Sequence, residues 1–208
     1  MSTNYIAPIW RMPENTNNVD DKLSNYSIEF NSSDPNYIDC GSSSALLTTG
    51  GLSVSWWMKT TVTADDALVL MDDYSAGNRN WQIVHLSSGN VIRFYVFGSP
   101  NAFVLANTSI NDGNWHHVVC TYEPSTALRI YIDGSLDNSN TTSIPATRNN
   151  SAANLRIGKD DFGNYYTGEL SQVSIFDYAL TDGTSGTTDQ IGYLYNLNNP
   201  MADRDWET

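Results

Sequence analysis

Two short stretches of period-two alternation set the terms for any fold of this chain. In Leu52–Lys59, the residues Leu52, Val54, Trp56 and Met58 fall on one side and Ser53 and Ser55 on the other. In 128–132, Leu128, Ile130 and Ile132 share a side, with Arg129 and Tyr131 opposite. Side chains alternate across an extended chain, so each pattern predicts a strand with one buried and one solvated face. Similar runs of β-branched and aromatic residues, punctuated by Gly, Asn, Asp and Ser, predict further strands near 27–30, 37–40, 67–71, 81–86, 91–97, 103–107, 115–122, 154–157 and 168–178. Asp133-Gly134 is a tight hairpin signal because a mirror-type turn needs positive φ, and Ser88-Gly89-Asn90 reads as a second hairpin loop. Many short strands at regular spacing predict an all-β fold, an antiparallel β-sandwich or jelly roll.

Only one stretch has helical character. Thr187-x-x-Gln190 has the form of a capping box, and Ile191, Leu194 and Tyr195 follow at helical spacing. The expected organisation is an N-terminal arm or linker over 1–25, one jelly-roll domain over 26–197 with this short C-terminal helix, and a polar tail over 198–208. Trp10 and Ile9 are unusual in a linker and suggest an arm that docks on a neighbour.

Charge narrows the partners. The chain carries 23 acidic against 10 basic residues, a net charge of −13. Such a surface repels phosphate backbones and anionic lipid, so nucleic acid is excluded as a partner. No apolar run approaches the roughly 20 residues that cross a bilayer, so membrane insertion by a helix is excluded too. The first eighteen residues lack the basic start and apolar core of a standard signal peptide. Export by another route, for example within a virus particle, is the expectation that follows. Cys40 and Cys120 fall on separate strands, so they could pair only if those strands are neighbours; two free thiols is the other reading.

The segment Asp112-Gly113-Asn114-Trp115-His116-His117-Val118-Val119-Cys120-Thr121-Tyr122, followed by Leu128-Arg129-Ile130-Tyr131-Ile132-Asp133-Gly134, resembles the central hairpin of laminin-G-like and pentraxin-like domains. The residues 37–41 and 51–59 are similar to that family's first core strands, and 155–158 and 168–176 to its closing strands. The resemblance spans about 26–197 and implies a concanavalin A-like jelly roll. Its motifs are core and turn residues, so it speaks for fold more than for function.

Some members of that superfamily hydrolyse polysaccharides with a Glu-x-Asp-x-x-Glu run, since hydrolysis needs two carboxylates on one face. Here Glu14, Glu29, Glu123, Glu169 and Glu207 are each isolated. His116 and His117 adjoin on a strand and face opposite sides, so they cannot form one catalytic pair. The chain is therefore expected not to be an enzyme.

Binding falls to rim loops or one sheet face. Sugar recognition calls for carboxamides and carboxylates that meet hydroxyls, with a ring over the C–H face of the sugar. Two loops carry that mixture. One holds Asp72, Asp73, Tyr74, Asn78, Asn80 and Trp81; the other holds Asp160, Asp161, Asn164, Tyr165 and Tyr166. In pentraxin-like relatives the corresponding loops approach each other and hold calcium, so the resemblance implies Ca²⁺ on Asp160 and Asp161 with Asn78 or Asn80. A structural calcium of other relatives uses two aspartates where this chain has Asn31 and Ser171, and the lost charge weakens such a site. The expectation is a non-catalytic carbohydrate-binding or adhesion module, calcium-assisted, extracellular or on a virion surface. Its partners would be cell-surface glycans or glycoproteins, engaged by a homo-oligomer or alongside neighbouring domains of a larger assembly. The alternative is a structural or decoration domain of a virion or other extracellular assembly.

Overall fold

The computed structural model describes residues 27–33 and 36–198. The expected arm over 1–25 and the tail after Asn198 lie outside the described residues. Twelve strands follow in chain order: β1 (Ile28–Phe30), β2 (Ile38–Asp39), β3 (Leu52–Lys59), β4 (Asp66–Asp73), β5 (Asn78–Leu86), β6 (Val91–Val96), β7 (Ala102–Leu105), β8 (His116–Glu123), β9 (Ala127–Ile132), β10 (Ser135–Asn140), β11 (Leu155–Ile157) and β12 (Gly168–Phe176). Among the described residues one α-helix, α1 (Gln190–Asn198), follows, beside short 3-10 turns at Ser44–Leu46 and Thr184–Gly186. The strands form two six-stranded antiparallel sheets, ordered β1-β12-β3-β8-β9-β10 and β2-β11-β4-β5-β6-β7. This is the expected concanavalin A-like sandwich.

The core is the space between the sheets. Leu52, Val54, Trp56 and Met58 of β3 join Val118, Cys120 and Tyr122 of β8 and Leu128, Ile130 and Ile132 of β9. From the second sheet come Val69, Met71, Trp81, Ile83, Ile92, Phe94, Val96, Val104, Leu155 and Ile157. Burying one such aliphatic or aromatic side chain stabilises the fold by roughly 1.5–3 kcal/mol, so these two faces dominate the energetics. Cys120 is buried among them and Cys40 is half-buried; both are free thiols.

The second face of β3 departs from expectation. Ser53 and Ser55 are buried, not solvated, and Trp57 beside them is buried as well. The chain after β12 wraps over this face. Leu180 N donates to Ser53 Oγ, and Ser53 Oγ donates to Tyr178 O. A second apolar cluster of Val119, Tyr131, Phe176, Leu180 and Ile191 forms beneath α1, and Tyr195 stacks on Trp57 at 5.7 Å. Serine on an outer face therefore marks a surface that the chain itself covers, with small side chains admitting a close second layer.

Turn chemistry follows the sequence. Asp133 and Gly134 both have positive φ (51° and 79°), and so do Gly89 and Asn90. The strand β10 escaped the alternation test because Ser135–Asn140 is almost wholly polar. It closes the rim against β7. Asn138 Nδ2 donates to Leu105 O, Asn140 Nδ2 donates to Phe103 O, and Asn107 N donates to Asp137 Oδ2. Side-chain amides thus occupy the free carbonyls of an edge strand.

Beneath α1, His117 Nε2 lies 2.9 Å from Ser55 Oγ. Burial pulls the His117 imidazole down from 6.5 to about 4, against a smaller upward pull from Asp133. Between those values the unfolded chain takes a proton that the folded chain refuses, so stability falls as pH drops from 6.5 towards 4. Asp66 acts in the opposite sense: burial pushes its carboxyl up to about 6, so the folded chain takes that proton first and gains stability as pH falls from 6 towards 3.8. In urea titrations at pH 7 and pH 4.5, His117→Gln is expected to lose less stability on acidification than the parent, by on the order of 2 kcal/mol. An equal acid loss in both proteins would show that His117 titrates normally.

Candidate functional site

In the second sheet, register places outward side chains in rows. Arg156, Leu70, Gln82, Tyr95 and Phe103 are successive cross-strand partners on β11, β4, β5, β6 and β7. Ala67, Val84, Arg93 and Leu105 form the next row. Leu70 points away from the core, yet is only 1% exposed. The loop 158–166, between β11 and β12, lies beside this face and reaches the β4–β5 turn.

Gly158 starts that loop with φ +85°, and a Cβ there would lie 2.7 Å from the Phe30 ring. Only glycine fits, because both the left-handed backbone and the close approach exclude a side chain. Asp160 then organises the turn. Its Oδ1 accepts from Phe162 N and Asn164 N, both at 2.9 Å, and its Oδ2 accepts from Asn164 Nδ2 at 2.7 Å. The turn leaves Phe162 63% exposed, 5.0 Å from the Tyr74 ring of the β4–β5 turn.

From that contact a continuous run of flat groups extends across the sheet. The Arg79 guanidinium lies 4.8 Å from the Tyr74 ring and 4.0 Å from the Phe97 ring. Phe97 meets Tyr95 at 4.4 Å, and Tyr95 stacks on Phe103 at 5.9 Å with an 8° interplanar angle. Tyr74 and Phe103 are 55% and 49% exposed. Asp72 fixes the middle of the run, holding Arg79 through Nε and Nη2 at 2.8 Å each. Beside it is a groove of about 200 Å³ lined by Arg79, Gln82, Arg93, Phe162 and Asn164 together with the carboxylates Asp65, Asp66 and Asp160. A larger cleft of about 290 Å³ lies by β1 and β12. Of its ionic groups, Lys59 and Glu169 pair with each other at 3.0 Å and Glu29, the cross-strand partner of Glu169, is exposed; its aromatic residue, Phe30, is buried in the core, so it offers no stacking surface.

The structure brings the two sequence-nominated loops together but reassigns several of their residues. Trp81 is in the core, because β5 turns it inward between Met71 and Val96. Tyr166 is buried against Phe30 and donates to Lys59 O. Asn80 is buried, donating to Ser151 O and accepting from Ser151 N, so it ties the β11 approach to β5. Asp72 is buried and spent on Arg79. None of these four presents a free group to a sugar. Tyr74, Asn78, Asn164 and Tyr165 keep partial or full exposure. Tyr165 sits 6.4 Å from Tyr37, with Lys159 Nζ over both rings. Phe162, Arg79, Gln82, Arg93, Tyr95, Phe97 and Phe103 were missed; alternation on β5–β7 could have flagged the outward ones, but not their coverage.

The residues do not fit a calcium ion. Asp160 spends its carboxylate on three N–H donors within its own turn. Asp161 Oδ1 accepts from Arg156 Nη1. Asp73 accepts from Ser75 Oγ and Ala76 N, and its carboxyl also meets that of Asp161. Among the described residues no three His, Cys, Asp or Glu side chains converge to hold an ion. Arg156 supplies the positive charge between these carboxylates, which a cation would otherwise bring.

Asp65 and Asp66 do not form a hydrolytic pair. Asp65 accepts from Ser87 N, whereas Asp66 is buried and bonded from the Thr167 backbone, so these adjoining carboxylates serve different neighbours. Ser55 and His117 are within hydrogen-bond reach but sealed under α1; Asp133 Oδ1 accepts from His117 N and leaves the imidazole Nδ1 unpartnered among the described residues. His116 faces the other way, between Asp133 and Asp112.

No curated protein matches the sequence. Among solved structures, the binding domain of Paraclostridial Mosquitocidal Protein 1 superposes with a TM-score of 0.64 at 16% identity, over 85% of this chain and 45% of that one. The binding domain of botulinum neurotoxin DC, solved in complex with SialylT, gives 0.64 at 15% identity, over 85% and 44%. A heptameric SAP-like pentraxin from Limulus polyphemus gives 0.55 at 17% identity, over 75% and 80%. The chain thus spans under half the length of the toxin domains, and at these identities the likeness is one of fold. The family profile Laminin_G_3, described as concanavalin A-like lectin/glucanases superfamily, matches residues 32–184. With most of its length matched and both sheets of that sandwich in place, this chain belongs to the laminin G-like family of the concanavalin A-like lectin/glucanase superfamily.

Proposed function

We propose that this domain is a non-catalytic glycan-binding module, and that it holds a saccharide along the groove on the outer face of the second sheet. The observation that carries this reading is the run of rings from Phe103 through Tyr95, Phe97 and Tyr74 to Phe162, bordered by the polar groups of Gln82 and Asn164. Exposed rings beside a shallow, half-polar groove suit the alternating C–H and hydroxyl faces of a sugar chain. The toxin binding domains and the pentraxin lend support as relatives in fold. A shallow site of this kind gives a Kd near 1 mM, about −4 kcal/mol, so adhesion on a cell surface would draw on several copies or neighbouring domains. An extracellular setting goes with that role.

Glycan-array screening followed by calorimetry tests the reading. Phe162→Ala and Tyr74→Ala are each expected to weaken binding about fivefold while leaving the thermal midpoint nearly unchanged, since both rings are largely exposed and each contributes about 1 kcal/mol of stacking. Silence across a broad array would instead favour a structural role in an assembly. Binding is further proposed to be metal-independent, with Arg156 in place of calcium. Adding 5 mM CaCl₂ or EDTA is expected to leave both Tm and affinity unchanged. A bound ion at a thousand times its Kd would stabilise the fold by about 4 kcal/mol, an unmistakable rise in Tm.

A further inference from the structure

Among the described residues, the cationic side chains are almost all committed. Lys59 pairs with Glu169, Arg79 with Asp72, Arg129 with Glu123 and Arg156 with Asp161. Arg148 is buried and donates to Thr48 Oγ1, and Lys159 lies over Tyr37 and Tyr165. Arg93 alone among them has no hydrogen bond, ion pair or ring contact, and its Nε is buried without a partner. In a chain with 23 acidic and 10 basic residues, an uncommitted guanidinium is unexpected.

Its position is equally specific. Arg93 stands on the outer face of β6, between Val84 of β5 and Leu105 of β7, and lines the same groove as Gln82, Asn164 and Phe162. Three carboxylates share the groove, and each is engaged elsewhere: Asp65 Oδ1 accepts from Ser87 N at 2.6 Å, Asp66 is bonded from the Thr167 backbone, and Asp160 accepts from Phe162 N, Asn164 N and Asn164 Nδ2. The Asp65 carboxyl is held below its ordinary value by Ser87 first, with Arg93 contributing only at a distance. No ion pair within 4 Å forms between them. Arg93 thus lines the groove with its guanidinium engaged by no hydrogen bond or ion pair among the described residues.

We infer that the groove selects acidic glycans, and that Arg93 receives the carboxylate or sulfate of the bound sugar. The inference rests on the groove being the glycan site. A planar guanidinium meets a carboxylate or sulfate through two parallel N–H donors, stronger and more directional than a contact to a hydroxyl. The surrounding acidic surface repels such ligands at long range, while the contact acts at short range. Selectivity is therefore expected to persist as salt screens the surface.

The probes are tri-galacturonate beside its methyl ester, and a sulfated beside an unsulfated galacto-oligosaccharide, titrated into the full chain by calorimetry. The parent protein is expected to prefer an acidic form by about tenfold, the size of one charge-assisted contact. The uronate and sulfate arms distinguish which anion is taken. Arg93→Gln is expected to bring the acid down to the affinity of its neutral counterpart, and Arg93→Lys to restore part of the preference, which shows that the folded face survives substitution. Equal affinity for acid and neutral forms in the parent, or a preference that persists in Arg93→Gln, overturns the inference while the groove reading stands. If Phe162→Ala and Tyr74→Ala leave every affinity unchanged, the groove reading fails and this inference with it. The absence of binding by every probe at millimolar concentration also overturns it.

Discussion

The gap between two sheets is only about 10 Å wide, and everything in this molecule is arranged around filling it. Strand β3 occupies a central position in its sheet and delivers four large side chains into that gap. Because each strand has two faces, every residue committed inward assigns its neighbours outward. The outward rows are then free for other tasks. On one sheet they receive the chain's own C-terminal segment, and on the other they form the groove. Function is in this sense what remains on the face that the core does not need.

The fold was legible because alternation and turn residues are local signals. Leu52 to Met58 and Leu128 to Ile132 declare their inward faces directly, and Asp133-Gly134 requires positive φ wherever it lies. The polar β10 was not legible, because its pairing is dictated by β9 and by contacts to β7, not by its own composition. The burial of Ser53 and Ser55 was hidden for a related reason. A polar face can be solvated or covered, and only the path of residues 177–195 decides which.

The candidate site was legible only as two loops of suggestive composition. Its two loops stood out by composition, yet composition does not distinguish a tryptophan that faces a sugar from one that faces the core, and Trp81 faces the core. Asp160 shows the same ambiguity for carboxylates: a turn carboxylate and a metal ligand have the same sequence appearance. The outward residues of β5, β6 and β7 could have been listed by parity from the inward Ile83, Ile92 and Phe94. Their joining into one surface depends on cross-strand register, which brings Gln82, Tyr95 and Phe103 into line from positions far apart in sequence.

The amides of Asn138 and Asn140 have a consequence for how copies of this domain could be arrayed. A strand arriving at β7 from another molecule would find the carbonyls of Phe103 and Leu105 already engaged from within the same chain. Growth of a continuous intermolecular sheet along that border is thereby discouraged. Any array of copies would then be held by tethers or by side-chain faces, leaving each sandwich a discrete unit.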